Sequence, residues 1–189
     1  MDITALILDD HHEQRRRFAI LEQIDRADTK TLGEVWSRLA AFLEVHARAE
    51  EELFYPELLR MGQRAGRIGT TEEETLDAIR DHNDIRDTIA AVADHETGTP
   101  GWFDAVAAVN LANSDHMAEE EREGLTEFRR DAGLQLRHDL AVAFAGFEAR
   151  NFAGVRPQDQ DPAAYVQQAE PAAARPSPGS LGIGSLKGR

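Results

Sequence analysis

Four histidines recur along the sequence at nearly equal intervals, and two of them are followed one helical turn later by a glutamate. The histidines are His11, His46, His82 and His116, separated by 35, 36 and 34 residues. Glu50 follows His46 and Glu120 follows His116 at the i+4 spacing that places two side chains on one face of a helix. Imidazole nitrogen and carboxylate oxygen bind iron, manganese and zinc, and the chain has no cysteine to offer a thiolate. The pattern therefore predicts a metal site with nitrogen and oxygen ligands.

The intervals fit four successive helices, each with its histidine on an apolar stripe. Apolar residues at helical spacing predict helices over 3–24 and 31–60, a third from about 71, and a fourth from about 102 to 130. Thr31 with Glu34 and Thr71 with Glu74 have the capping-box spacing of helix starts. Glycine-rich segments at 61–70 and 98–101 predict the loops on either side of the third helix.

This order of elements predicts an all-α domain over 1–131, folded as an antiparallel up-and-down four-helix bundle. Alternate helices run in opposite directions, so ligands meet only if they lie at one depth. At the α-helical rise, His11 and His82 lie roughly 12 and 15 Å from the starts of their helices. Glu50 and Glu120 lie roughly 15 Å from the ends of theirs, which is the same end of the bundle. The sequence therefore predicts one shared layer.

Two further segments follow the bundle. An accessory region over 132–155 contains an extra amphipathic helix at about 134–151, which we expect to pack across the bundle, against a protein partner or in a homo-oligomer. The composition then shifts to Pro, Ala, Gln, Gly and Ser, which predicts a low-complexity tail over 156–189. Leu181, Ile183 and Leu186 leave open whether this tail is a plain flexible end or a docking peptide.

Charge and hydropathy exclude two classes of partner. The formal net charge of −14 argues against nucleic acid, because neutralising phosphates requires clustered Lys and Arg. The basic run at 15–17 is predicted to be a solvated helix face. The sequence contains no run of eighteen or more uncharged apolar residues, so it predicts no membrane span. Its first residues resemble neither a basic leader nor a cleavage site. We therefore expect a cytoplasmic protein.

The layer of histidines and glutamates suits a pair of metal ions. Two cations at contact distance repel each other, and bridging glutamates supply negative charge while neutral imidazoles complete each side. Any one of these histidines alone is better explained as a hydrogen-bonded core residue. Four histidines at one depth favour a metal site. Two alternatives stay open, a polar network without metal and a mononuclear or zinc site.

Four segments of the chain resemble the successive motifs of bacterial members of the hemerythrin-like (HHE cation-binding) family. They read DDHHEQRRRF, HARAEEELFYPEL, DHNDIRDTI and DHMAEEE, and the resemblance extends from Ile3 to Phe128. Its most specific part is the His46 and Glu50 pair followed by Phe-Tyr-Pro. The resemblance implies a non-haem di-iron centre bridged by oxide or carboxylate, with manganese or zinc as alternative metals. The ligands that it implies are His11, His46, Glu50, His82, His116 and Glu120.

The sequence departs from the family pattern at two places. Oxygen-carrying hemerythrins have a fifth histidine one turn after the third-helix ligand, and here that position is Arg86. The departure leaves either an open coordination position or a further ligand that the sequence does not identify, and it favours reaction with a small molecule over reversible carriage of oxygen. The fourth helix also has Gly124-Leu125-Thr126 where the family usually has a proline, which leaves the end of this helix open.

The resulting hypothesis is a di-iron protein that binds or reacts with oxygen, peroxide or nitric oxide, with catalase-like or oxidase-like chemistry. Arg86 is either a donor to bound peroxide or superoxide, or one half of an internal salt bridge with the acidic run at 119–121. Two alternatives are a non-catalytic iron, oxygen or redox sensor that signals through the tail, and an oxygenase for a small organic substrate. Whether the chain is an enzyme stays open.

Several other residues near the pattern are weaker candidates. His12 is rotated by about 100° from the apolar stripe, and we expect His11 to be the ligand. His95 and His138 fall outside the layer. Glu51 and Glu121 are alternative ligands if their helices rotate slightly. Tyr55 lies nine residues beyond His46 and should point about 180° away, into the apolar core.

Overall fold

The computed structural model of the chain describes residues 1–66 and 68–173, and it is all-α in this described part. The helices are α1 (Ile3–Gln23), α2 (Thr29–Ala49), a π-helical turn (Glu50–Phe54), α3 (Tyr55–Ala65), α4 (Ile68–Val92), α5 (Pro100–Arg122), α6 (Gly124–Asp131), α7 (Leu134–Arg150) and α8 (Pro162–Ala173). The four long helices α1, α2, α4 and α5 form the predicted bundle. None of the described helices is long and apolar enough to cross a membrane.

Short polar side chains cap three of the long helices. Asp2 accepts a hydrogen bond from the amide of Thr4 at 3.0 Å, Asp28 from that of Thr31 at 3.0 Å, and Thr99 from that of Trp102 at 3.3 Å. These bonds satisfy amides that have no partner within the helix. The predicted start of α2 at Thr31 is wrong by two residues, because Asp28 is the cap.

The prediction of a glycine-rich loop over residues 61–70 is wrong, because most of this segment is helical. The second helix continues through the π turn and α3 to Ala65, where Gly66 ends it with a φ of 72°, in the left-handed region that favours glycine. Helix α4 begins at Ile68, so Thr71 is an internal helical residue and not a cap. Gly62 lies inside α3 because α4 approaches so closely that a Cβ at this position would overlap the side chain of Thr71.

The predicted fourth helix is interrupted before its end. Glu123 has φ −109° and ψ −80°, which breaks the helix between α5 and α6. Gly124 is buried directly after the break, and a Cβ there would lie 3.6 Å from the side chain of Leu58. The prediction of one continuous helix to about 130 is therefore wrong at this point.

Two apolar clusters fill the bundle, one on each side of a polar layer. The cluster toward the start of α1 includes Ile3, Ile7, Phe54, Ile79, Phe128 and Phe144. The cluster toward the end of α1 includes Phe18, Leu21, Leu39, Val92, Trp102 and Val109. Between them each long helix contributes buried polar side chains. Burying such groups is costly unless they are hydrogen-bonded or paired, so the layer needs partners for them.

The segments after the bundle pack onto it. Helix α7 contacts α1 and α2 and buries Ala141 and Phe144, which confirms the expectation that it packs across the bundle. Helix α8 packs on α3 and α4, with Val166 and Ala169 buried beside Leu59. The prediction of a low-complexity tail from residue 156 is therefore wrong for Pro162–Ala173, which is helical.

Two contacts explain why α8 forms in this polar sequence. Its first turn is capped by Asp161, whose carboxylate accepts from the amide of Ala164 at 2.7 Å. The hydroxyl of Tyr165 donates to the backbone oxygen of Glu51 in the π turn. The proposed docking residues Leu181, Ile183 and Leu186 lie outside the described residues.

Candidate metal centre

The polar layer brings together the four histidines that the sequence singled out, one from each long helix. His11, His46, His82 and His116 are all at most 4% exposed. The Nε2 atoms of His82 and His116 lie 3.1 Å apart, and the rings of His11 and His46 make an edge contact with centroids 5.2 Å apart. The histidines therefore form two pairs, α1 with α2 and α4 with α5.

Glu50 lies between the two pairs. Its Oε1 is 3.0 Å from His46 Nε2 and 4.0 Å from His11 Nε2, and its Oε2 is 3.4 Å from His82 Nε2. Glu120 approaches from α5, with Oε2 at 3.3 Å from His11 Nε2. The structure thus places all six predicted ligand side chains in one layer, with one carboxylate oxygen of Glu50 toward each pair.

The outward nitrogen of every histidine faces a carboxylate from a neighbouring helix. The Nδ1 to oxygen distances are 3.1 Å for His46 with Asp10, 3.0 Å for His82 with Glu51, 3.4 Å for His116 with Asp81 and 3.0 Å for His11 with Glu121. Helix α1 thus supports the histidine of α2, the π turn that follows α2 supports that of α4, α4 that of α5, and α5 that of α1. We call this closed set of four contacts the carboxylate ring.

Three arginines pair with carboxylates of the ring, and Arg48 makes the longest of these contacts, to Glu51 at 3.6 Å. Arg15, one turn after His11, donates to Glu121 at 2.7 Å. Arg86, one turn after His82, donates to Glu51 at 2.7 Å and to Glu44 at 2.9 Å. The predicted salt bridge between Arg86 and the acidic run at 119–121 is therefore wrong. Glu51 and Glu121, the alternative ligands, instead lie on the outward side of the histidines.

The π turn explains why two adjacent glutamates, Glu50 and Glu51, are both buried in the bundle. Its i→i+5 hydrogen bonds widen the helix, so later residues fall further back around the axis than in an ideal α-helix. Glu50 and Glu51 are both buried as a result. Tyr55 also turns toward the site: its ring lies 5.7 Å from that of His82, centroid to centroid. Tyr55 does pack in the apolar cluster toward the start of α1, as expected. The expected direction away from the layer is wrong, because that estimate assumed an unbroken α-helix.

Electrostatics inside the layer favour charged imidazoles while no cation is bound. Burial lowers the pKa of His82, but hydrogen bonds and attraction from Glu50 and Glu51 outweigh it and raise the pKa to about 9. The pKa of His46 is raised well above its ordinary value, where burial is again outweighed by Glu50 and Asp10. Burial alone would raise the pKa of Glu50, yet His46 and His82 hold that pKa well below its usual range. A bound cation would replace these protons as the positive charge.

Unsatisfied atoms at the centre of the layer fit a metal cation. Among the described residues, the buried atoms without a hydrogen-bond partner include His11 Nε2, His46 Nε2, both oxygens of Glu50, both oxygens of Glu120 and the Tyr55 hydroxyl. Orphaned buried polar atoms are rare because each costs free energy. Here they come from imidazoles and carboxylates, the donor set of iron, manganese and zinc. The residues therefore fit a metal centre.

Ligand atoms close enough to hold an ion form two groups that share Glu50. One group is His11, His46 and Glu50, and the other is Glu50, His82 and His116. A third group joins Asp10, His46 and Glu148 on the outer side of His46. Burial and the nearby Asp10 charge raise the pKa of Glu148 to about 7.

The weaker histidine candidates lie outside the layer. His12, His95 and His138 are all exposed, as the spacing predicted. The sequence did not identify Asp10, Asp81, Glu44 or Glu148 as part of the site. A signal for two of them exists, since Asp10 and Asp81 directly precede His11 and His82. The same doublet at Asp115 and His116 is misleading, because Asp115 is exposed.

We expect the metal-free protein to lose stability as the pH rises from 6.5 to about 9. An unfolded histidine titrates near 6.5, whereas the folded His82 has its pKa raised to about 9. A group with a raised folded pKa stabilises the fold fully below its unfolded pKa, and this contribution is lost as the pH passes the folded pKa. In urea titrations the free energy of unfolding should fall by on the order of 3 kcal/mol over this range. His82→Gln should flatten the profile, exposed His138→Gln should not, and a flat wild-type profile would contradict the assignment.

Comparison with known proteins agrees with this geometry. A family model described as the hemerythrin HHE cation binding domain matches residues 2–127, more than half of the 189-residue chain. No curated protein and no solved structure matches. The matched residues contain all four helices of the bundle and every histidine of the layer. The chain therefore belongs to the hemerythrin HHE family, whose domains bind metal cations, typically iron.

Proposed function

We propose that the layer holds two iron ions and that the protein binds or reacts with oxygen, peroxide or nitric oxide. The observation that carries this proposal is the convergence of the four imidazoles on Glu50, while Nδ1 of each ring faces its own carboxylate. Metal-binding histidines usually have such an outer partner, which fixes the tautomer and directs the free nitrogen at the metal. The proposed ligands are His11, His46, Glu50, His82, His116 and Glu120.

The arrangement favours two ions over one. His11 and His46 would hold one ion with Oε1 of Glu50, and His82 and His116 would hold the other with Oε2 of Glu50. Glu120 is placed to serve the first ion, and its Oε1 has no hydrogen-bond partner among the described residues. A mononuclear site would leave one histidine pair and one oxygen of Glu50 buried without their partner.

The surroundings favour a small reactant. Bound ferrous iron supplies open coordination positions and electrons for small ligands such as oxygen, peroxide or nitric oxide. A cavity of about 180 Å³ reaches the layer and is lined at its base by Tyr55, His116 and Glu120. The Tyr55 hydroxyl is buried, and burial together with Glu120 and Glu50 raises its pKa well above the ordinary range. It therefore keeps its proton and is available as a hydrogen-bond donor at the base of the cavity.

Arg86 is better described as a positioning residue than as a donor to the reactant. Its Nε, Nη1 and Nη2 atoms donate to Glu44, Asn83 and Glu51 respectively. Glu51 in turn faces Nδ1 of His82. Arg86 therefore acts on the centre through a carboxylate and one imidazole.

Metal analysis of protein from iron-replete cells, with optical spectra before and after oxygen or peroxide is added, tests the proposal. We expect two iron ions per chain, a spectrum that changes with the oxidant, and consumption of peroxide. Glu50→Gln should lose at least one iron per chain, whereas exposed Glu52→Gln should keep both. Stoichiometric zinc or one iron per wild-type chain would overturn the di-iron proposal. Two iron ions with no peroxide or oxygen turnover would instead favour the sensor hypothesis.

Substitution of Glu51 tests the carboxylate ring. Glu51→Gln should weaken iron binding by about 10- to 100-fold, because the outer partner of a metal-binding histidine sets its orientation and basicity. The neighbouring Glu52 is exposed and matches Glu51 in chemistry, so Glu52→Gln is the control. Competition with a metal chelator measures both affinities. Equal affinities in the two variants would rule out a role for Glu51 in holding His82.

A further inference from the structure

One cavity between α3, α4 and α5 connects the surface with the buried layer, and its wall is strongly acidic. Seven of the thirteen residues that line it are Asp or Glu, and none of these lining residues is Lys or Arg. Its base consists of Tyr55, His116 and Glu120, which are 1%, 4% and 7% exposed. The cavity thus begins at exposed carboxylates and ends at two of the proposed ligands.

The acidic residues stand in rows on two facing helices. Glu73, Asp77 and Asp81 follow one another at i+4 spacing along α4. Glu119 lies on α5, and Glu123 follows it four residues later, at the break that ends this helix. Like charges at this spacing destabilise a helix. Two arginines outside the cavity lining offset part of the charge, since Arg80 pairs with Asp77 and Arg122 with Glu123. These salt bridges neutralise only part of the negative charge of the rows, so the cavity wall stays acidic.

A separate observation at the base of the cavity points to a cation. Glu120 is buried and lines the cavity, and its Oε1 has no hydrogen-bond partner among the described residues. The buried Tyr55 hydroxyl beside it has none either. An unpaired carboxylate oxygen at the end of an acidic passage is suited to bind a cation. A cavity needs only roughly 10–15 Å³ to hold one water, so 180 Å³ accommodates a cation with part of its hydration shell.

We propose that this acidic cavity is the entry port through which a hydrated divalent cation reaches the metal centre. The inference rests on the proposed metal-binding function and extends it to the route of loading. Exposed Glu73 and Glu119 attract the cation at the mouth, and Asp81, whose carboxylate lies 3.4 Å from Nδ1 of His116, leads it to the layer. Glu120 is the first buried ligand that it meets. A cleft lined by one sign of charge raises the rate of association with the opposite charge.

Stopped-flow loading of the metal-free full chain with Co²⁺, followed by visible absorption, tests the port. The variant is Glu73→Gln with Glu119→Gln, which removes two exposed charges and no proposed ligand. We expect uptake at low ionic strength to slow by about 3- to 10-fold, with unchanged final Co²⁺ content. At 1 M salt, where the screening length is about 3 Å, the difference should disappear. A Glu73→Lys, Glu119→Lys variant should be slower still.

A matched variant, Glu22→Gln with Asp94→Asn, removes the same charge from exposed positions beyond the other apolar cluster. It should load at the wild-type rate. Loading of the port variants at the wild-type rate, or equal slowing in the matched control, would overturn the port. Wild-type protein that takes up no Co²⁺ would contradict the metal centre itself. The two failures are thus distinguishable.

Discussion

The carboxylate ring is the interaction on which the rest of the structure depends. Four imidazoles and two glutamates lie in the middle of a bundle, between two apolar clusters. Such groups are tolerated there only if each polar atom has a partner. The ring satisfies the outward nitrogen of each histidine with a carboxylate from the next helix around the bundle. It therefore links the four helices to one another and turns every free Nε2 atom toward one centre.

The irregular parts of the fold lie next to this layer. Regular α-helical geometry is lost beside each glutamate of the layer: the π turn begins at Glu50 itself, and α5 ends before Glu123, three residues after Glu120. The π turn places Glu50 at the centre and Glu51 on the outward side of His82. The break after α5 buries Gly124 beside Leu58 and lets α6 cover the end of the bundle. Departures from ideal helices thus position the ligands, in keeping with the association of π turns with functional sites.

Helical periodicity in the sequence was sufficient to predict the bundle and the layer. His11, His46, His82, His116, Glu50 and Glu120 lie on apolar stripes at one depth, and these local patterns persist in the fold. The π turn was not predicted, because the segment EEELF has no feature that separates a wide turn from an α-helix, and the direction of Tyr55 was wrong for that reason. The partners of Arg86 and the supporting role of Asp10 depend on contacts between helices, which no spacing along one helix reveals.

The region after residue 155 shows a different limit of sequence reasoning. Its average composition is that of a chain too polar to fold by itself, yet Pro162–Ala173 is helical because Leu59 and the π turn provide a surface for it. Asp161 followed by Pro162 is a helix-start signal that an average over the segment conceals. Composition thus describes a segment in isolation, whereas docking onto a bundle decides its structure.

The proposed centre needs two metal ions, one on each side of Glu50. The most direct measurement is anomalous diffraction from crystals of the iron-loaded full chain, with data collected on both sides of the iron absorption edge. We expect two iron peaks about 3.5–4 Å apart, one beside His11 and His46 and the other beside His82 and His116. A single peak, or a peak held by Asp10 and Glu148 on the outer side of His46, would contradict it.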